Sequence, residues 1–279
     1  VNTVGELSIH GTVTLNDGAK MPYFGLGTYK IPDGEPVIKA VESALETGYR
    51  LIDTAAFYEN EEGVGKAIRE SGIKREEIFV TTKVWNTDQG YDSTLKAFEK
   101  SLKKLGLDYV DLYLVHWPVT GKYLETWRAL RKLHENGVVK TIGVSNFHPQ
   151  HLKRLMDEYG DIPAVNQVEL HPYLNQEKLR AYCRDKGIQV QAWSPLAKGR
   201  LLNEPVLHQI GEKYGKTPAQ VVLRWHLQHG IAIIPKSANP SRIQENADIF
   251  NFELTPEEMA RIDGLNRNMR TGKNPDDFE

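Results

Sequence analysis

The stretch Arg50-Leu-Ile-Asp-Thr-Ala-Ala-Phe-Tyr-Glu-Asn60 sets how the rest of the chain is read. Tyr49, Leu51 and Ile52 form an apolar, strand-like run that stops at Asp53. A small-residue loop carrying Tyr58 follows, then Glu61-Glu-Gly-Val-Gly-Lys-Ala-Ile-Arg69, which reads as a helix. Two later strand-like runs also end on ionisable groups, Ile78-Phe-Val-Thr-Thr-Lys83 and Tyr109-Val-Asp-Leu-Tyr-Leu-Val-His116. If the strands are parallel, Asp53, Tyr58, Lys83 and His116 meet at one end of one sheet.

Outward from that stretch, strand and helix alternate. Periodicity predicts a helix over 93–105, with Leu95, Phe98, Leu102 and Leu105 on one face, and another over 124–136. Strand-like runs follow at 138–144, 164–168, 188–192 and 231–234, with helices between them and after them. About eight β/α units in one chain predict an α/β fold of the (β/α)₈ type, a TIM barrel. A doubly wound open sheet has the same alternation, because periodicity does not count strands around a closure. Residues 1–279 carry no linker or composition break and are expected to form a single domain. Before the alternation, Val13–Tyr23 reads as a β-hairpin turning at Asn16-Asp17-Gly18, suited to closing the bottom of the barrel. Gly25 and Gly27 make a Gly-x-Gly, but Lys30 stands where a Rossmann fingerprint needs its third glycine.

Composition removes several classes of function. Acids exceed bases by two and no basic run is present, so nucleic acid is not an expected partner. No apolar stretch approaches the roughly 20 residues that span a bilayer, so no membrane role is expected. The opening Val1-Asn-Thr-Val-Gly-Glu6 lacks the basic and apolar segments of a secretory leader. The single Cys183 cannot form an internal disulfide, and no Asn-x-Ser/Thr acceptor with a permitted middle residue occurs; both features predict a cytoplasmic protein. Cys183 lies in a helical pattern and reads as a buried apolar filler.

Polar and aromatic residues recur at the strand ends where such a barrel builds its sites: Thr28, Trp85, Trp117, Ser145, Asn146, Gln167, Trp193 and Ser194. Singly, Asp53 also reads as a helix cap, Lys83 as a structural ion-pair partner, and Tyr58 or His116 as packing. Together the four suit delivery of a proton to an oxygen that gains negative charge. Asp53 supplies the counter-charge that a buried Lys83 needs, and Lys83 is expected to lower the Tyr58 phenol pKa. A neutral His116 can orient a substrate oxygen. Lys236, Ser237 and Arg242 sit where a strand enters a helix and suit a phosphate group. His148-Pro-Gln-His151 offers only two ligands, and no metal site is expected.

At these residues the chain resembles the aldo-keto reductases. The resemblance rests on Gly48-Tyr-Arg-Leu-Ile-Asp-Thr-Ala56 with Tyr58-x-Asn60-Glu-x-x-Val-Gly65, on the Leu107–Pro118 segment with Gly143-Val-Ser-Asn-Phe147, and on Ile234-Pro-Lys-Ser237 with Arg242-Ile-x-Glu-Asn246. It covers nearly the whole chain in consistent order. It implies a (β/α)₈ barrel that binds NADPH and reduces aldehydes and ketones. Tyr58 would be the general acid, Asp53 and Lys83 would tune it, and His116 would orient the carbonyl. Asp53, Ser145, Asn146 and Gln167 would hold the nicotinamide, with Trp193 stacked on its ring. Thr28, Ser194 and Leu196 would touch the cofactor, and Lys236, Ser237, Arg242 and Asn246 would hold its adenosine 2′-phosphate end. Tyr29, Trp85, His116 and Trp117 would line the substrate pocket. Tyr29 stands where many relatives carry tryptophan, and the loop after Trp117 and the tail after the last helix are short. These departures point to small carbonyls such as methylglyoxal or keto-sugars. The chain is expected to be a monomer. The competing expectations are an NADPH-occupied sensor with little turnover, and a sugar-phosphate isomerase or aldolase that uses Lys83.

Overall fold

The structure, a computed structural model, describes residues 7–278; residues 1–6, read above for a leader, and residue 279 lie outside it. Strands β1 (Thr12–Thr14) and β2 (Lys20–Pro22) form the antiparallel hairpin. The chain then runs β3 (Leu26–Gly27), α1 (Glu35–Thr47), β4 (Leu51–Asp53), α2 (Glu61–Arg69), β5 (Phe79–Val84) and α3 (Tyr91–Leu105). It continues through β6 (Val110–Val115), α4 (Tyr123–Glu135), β7 (Val139–Ser145), α5 (Pro149–Tyr159), β8 (Val165–Glu169) and α6 (Glu177–Lys186). The last elements are β9 (Gln189–Trp193), α7 (Pro205–Tyr214), α8 (Pro218–Gln228), β10 (Ala232–Ile233), α9 (Pro240–Ala247) and α10 (Pro256–Asp263).

Strands β3 to β10 form one eight-stranded parallel sheet in sequential order. The sheet closes on itself, which decides between a barrel and an open sheet. Ile233 N–H donates to Tyr23 O (2.8 Å), Gly25 N–H to Ile233 O (3.0 Å) and Gly27 N–H to Pro235 O (3.2 Å). Leu51, Val80, Leu112, Val144 and Val165 are fully buried, as expected of strands covered on both faces. Most outer helices bury one stripe, whereas α8 is buried along Ala219–Leu227. In α3 the stripe is Thr94, Phe98, Ser101 and Leu105, spaced three or four residues apart.

Element boundaries differ from the sequence reading by a residue or two. Strand β9 ends at Trp193 rather than Ala192 because Trp193 pairs in register with Glu169, which sets the indole at the rim. Helix α4 begins at Tyr123, ahead of Leu124. Helices α7 and α10 stand outside the strand–helix alternation.

The hairpin lies across the bottom, as the sequence suggests. Asn16 Nδ2 donates to Pro163 O (3.1 Å) and Gly187 O (3.2 Å), just ahead of β8 and β9. The Thr141 hydroxyl of β7 donates to Asp17 Oδ2 (2.7 Å). Gly65 decides how closely α2 meets the end of α3. A Cβ at this position would stand 1.9 Å from Leu105 O and 2.5 Å from its carbonyl carbon, and backbone cannot swing aside as a side chain can. Gly65→Ala is therefore expected to lower unfolding stability by roughly 1–3 kcal/mol, read as a shifted urea midpoint at unchanged slope. An unshifted midpoint would show that the two helices separate freely.

Candidate active site

The parallel strands bring the ionisable residues to one mouth. Asp53 is the last residue of β4, Lys83 the penultimate residue of β5, and His116 the first after β6. Tyr58 ends a single 3₁₀ turn, Ala56–Tyr58, in the β4–α2 loop. Asn60 fixes that loop. Its Oδ1 accepts from the Thr54 hydroxyl (2.6 Å), while its Nδ2 donates to Thr28 O (2.9 Å) and Ile31 O (3.1 Å). Asn60 lies in the quoted sequence pattern, yet its bracing role follows only from these contacts.

The four residues interlock. The Lys83 ammonium donates to Asp53 Oδ1 (2.6 Å), Thr54 O (3.1 Å) and the Tyr58 hydroxyl (3.2 Å). Gln167 Nε2 donates to Asp53 Oδ2 (2.7 Å), so both oxygens of this buried carboxylate are satisfied. Burial works against the Lys83 cation, but Asp53 and Tyr58 outweigh it and hold the pKa above the ordinary lysine value. Burial raises the Asp53 carboxyl, with Lys83 and Gln167 pulling against it. At neutral pH a 2.6 Å contact with a cation keeps the pair ionic.

Tyr58 differs from the sequence expectation. Burial raises its pKa above the ordinary phenol value, and the nearby Lys83 only moderates that rise. The reason is that desolvating a phenolate outweighs one cation already shared with Asp53. At neutral pH the hydroxyl is therefore a protonated donor beside an ammonium. His116 is pushed well below its ordinary value by burial and then by Lys83, so it is a neutral imidazole. Its Nδ1 is buried without a hydrogen-bond partner, and its ring stands edge-on to Tyr58 at 5.9 Å between centroids.

Aromatic rings wall the mouth. Trp85 stacks on Phe57 (3.8 Å) and meets His116 edge-on (5.2 Å), while Tyr29 leans on Tyr58 (5.2 Å). Trp117 stacks on Phe278 (4.2 Å). Phe57 and Phe278 escaped the sequence reading. Phe57 adjoins Tyr58, which was signal enough; Phe278 lies 161 residues from Trp117 and had none.

Ser145, Asn146, Gln167 and Trp193 also gather here, turned onto one another. The Ser145 hydroxyl donates to Gln167 O (2.7 Å), Asn146 Nδ2 donates to Ser145 Oγ (3.2 Å), and Trp193 Nε1 donates to Asn146 Oδ1 (2.7 Å). Thr28 is fully buried and donates to Asp53 O (2.8 Å). Half-buried Ser194 and Leu196 follow Trp193 on the next loop. Further around, Lys236 and Arg242 are exposed, while Ser237 and Asn246 are buried. Asn239 Oδ1 accepts from the Ser241 and Arg242 N–H groups (2.9 and 3.4 Å), which caps α9.

The C-terminal segment returns across this face. Glu169, at the end of β8, accepts from Thr271 N–H (2.7 Å), the Thr271 hydroxyl (2.9 Å), Gly272 N–H (2.9 Å) and His171 Nε2 (2.7 Å). These bonds overcome burial and hold its carboxyl down at about 2. Asp276 Oδ1 takes His148 Nδ1 and Gln150 Nε2, each at 2.7 Å. His148, His151 and Asp276 lie close enough to share an ion, but the imidazoles are occupied otherwise. Arg270 donates to His148 Nε2 (3.0 Å) and His148 N–H to His151 Nδ1 (2.9 Å), so the nitrogens facing Asp276 carry the protons. Cys183 is buried, its thiol pushed up to about 11 by burial.

Comparison with known proteins agrees with this geometry. The family model described as "Aldo/keto reductase family" matches residues 23–267. The glyoxal reductase of Bacillus subtilis is 57% identical over 271 residues, covering 97% of this chain and 98% of that protein. The methylglyoxal reductase DkgA of Escherichia coli K12 is 48% identical over 270 residues, covering 95% and 97%. A crystal structure of a Gox0644 mutant in complex with NADPH superposes with a TM-score of 0.91 at 46% identity, covering 96% of this chain and 98% of that one. A closed eight-stranded barrel, a Tyr–Lys–Asp–His cluster at its mouth and matches of this extent have one reading: the chain belongs to the aldo/keto reductase family.

Proposed function

We propose that the protein is an NADPH-dependent reductase of small aldehydes and ketones, glyoxal and methylglyoxal among them. The observation that carries this reading is the protonated Tyr58 hydroxyl 3.2 Å from a buried ammonium, beside the neutral His116 imidazole. A carbonyl oxygen seated between Tyr58 and His116 would meet two neutral donors, one of them backed by a cation. As charge grows on that oxygen, Tyr58 passes it a proton, and Lys83 stabilises the tyrosinate left behind. Asp53 keeps Lys83 charged and in place.

The donor set fits the cofactor. A half-buried indole stands over an amide and hydroxyl cluster at Ser145, Asn146 and Gln167, and exposed cations at Lys236 and Arg242 flank a helix start. When bound, the nicotinamide supplies the hydride; Trp193 would stack on it while Asn146 and Gln167 hold its carboxamide. Thr28, Ser194 and Leu196 would contact the cofactor between its two ends. Lys236, Ser237, Arg242 and Asn246 would take the phosphorylated ribose. The aromatic wall of Tyr29, Phe57, Trp85 and Trp117 suits small, flat carbonyls.

We further infer that residues 1–279 work as one domain, as a monomer, in the cytoplasm. No helix among the described residues is long and apolar enough to cross a membrane.

The test is NADPH oxidation with glyoxal, methylglyoxal, glyceraldehyde, a diketo-sugar acid and nitrobenzaldehyde. Turnover of the dicarbonyls supports the reading. Tight NADPH binding without consumption of any would favour the sensor. Replacing Lys236 and Arg242 together by Ala is expected to weaken NADPH by about 10²–10⁴-fold, since each lost charged hydrogen bond is worth ~1.5–3 kcal/mol. NADH should change little, and equal weakening of both cofactors would remove these residues from the phosphate site.

A further inference from the structure

The C-terminal strap, residues 267–278, has no regular structure beyond one 3₁₀ turn at Pro275–Asp277, yet it is fastened at several points. Glu169 holds two successive amides and a hydroxyl, Lys198 Nζ donates to Thr271 O (3.0 Å), and the Thr120 hydroxyl donates to Phe278 O (2.7 Å). The Glu169 carboxylate is fully buried, and it is the charged group of its fastening. It also sits where the strap touches the site. A Cβ on Gly272 would stand 2.5 Å from the Trp193 ring, so only a glycine lets the strap lie against that indole. Six residues on, Phe278 covers Trp117 at an interplanar angle of 19°.

We infer that Glu169 is a positioning residue for substrate. It anchors the strap at Thr271 and Gly272, and the strap then delivers Phe278 to Trp117, extending the aromatic wall there. The inference rests on the reductase reading above and deepens it: a short tail narrows the pocket toward small carbonyls because this carboxylate stretches it across the mouth. Glu169 is separate from the proton-transfer cluster. Its four donors come from the strap and His171, and none comes from Asp53, Tyr58, Lys83 or His116.

The experiment uses Glu169→Gln, which keeps shape but sets an NH₂ group against amide donors. At saturating NADPH, KM for methylglyoxal should rise about tenfold with kcat nearly unchanged, as expected when charged hydrogen bonds are lost from a binding element. In a Phe278→Ala background the same change should add nothing further, because both variants empty the same wall. Hydrogen exchange at Thr271 and Gly272 should quicken at least about tenfold. Multiplying KM effects in the double variant, or unchanged exchange, would overturn the inference. If Glu169→Gln does not fold, Thr271→Val removes one anchoring donor and is read the same way. Should the wild type reduce no carbonyl, the reductase reading falls. The exchange measurement then still decides whether Glu169 anchors the strap.

Discussion

Tyr58→Phe is expected to lower kcat for every accepted carbonyl by about 10²–10⁴-fold while NADPH affinity stays close to wild type. The substitution removes one oxygen and keeps the ring against His116 (5.9 Å) and Tyr29 (5.2 Å). Lys83 retains Asp53 and Thr54 O as acceptors, so the ion pair survives and the fold with it. What disappears is the hydroxyl that Lys83 contacts at 3.2 Å, and with it the proton donor. Steady-state turnover and a fluorescence titration with NADPH together check this. Turnover within about tenfold of wild type would move the acid elsewhere, with His116 the next candidate. Lost NADPH binding would mean that Tyr58 shapes the cofactor site instead.

The second large effect concerns stability and activity together. Lys83→Met should cost about 3–5 kcal/mol of unfolding free energy, because Asp53 stays buried with its ammonium partner removed. Gln167 remains as a donor at 2.7 Å, but a neutral amide does not offset a buried carboxylate. Combining Lys83→Met with Asp53→Leu should recover most of that stability, since an apolar pair of similar volume carries no desolvation penalty. It should recover none of the turnover. Urea denaturation of the two variants beside their reaction rates makes the comparison. If the double variant is as unstable as the single one, packing around Lys83 rather than its charge is what matters. If turnover returns with stability, the cation does not tune Tyr58.

Much of this site is legible along the chain because parallel strands place their ends on one face. Asp53, Lys83 and His116 each stand where an apolar run stops, and that position alone sends them to the mouth. Tyr58 follows because its loop is too short to leave the rim. The sign of the Tyr58 shift was not legible, since it depends on how much solvent the fold removes from the ring relative to a shared cation. Phe278 and Glu169 were not legible either. Their partners, Trp117 and the pair Thr271–Gly272, lie far away in sequence, and nothing local distinguishes a glutamate that ends a strand from a solvated one.

The sequence by itself determined the alternation of strand and helix, the hairpin ahead of it, and the residue types that arrive at the mouth. These follow from local periodicity and from where hydrophobicity stops, both of which are properties of neighbours along the chain. Closure of the sheet between Phe24 and Ile233, the strap over Trp117 and Trp193, and the protonation states within the Asp53–Lys83–Tyr58–His116 cluster were decided only by tertiary structure. They depend on burial and on contacts between distant segments, and those exist only once the barrel has closed.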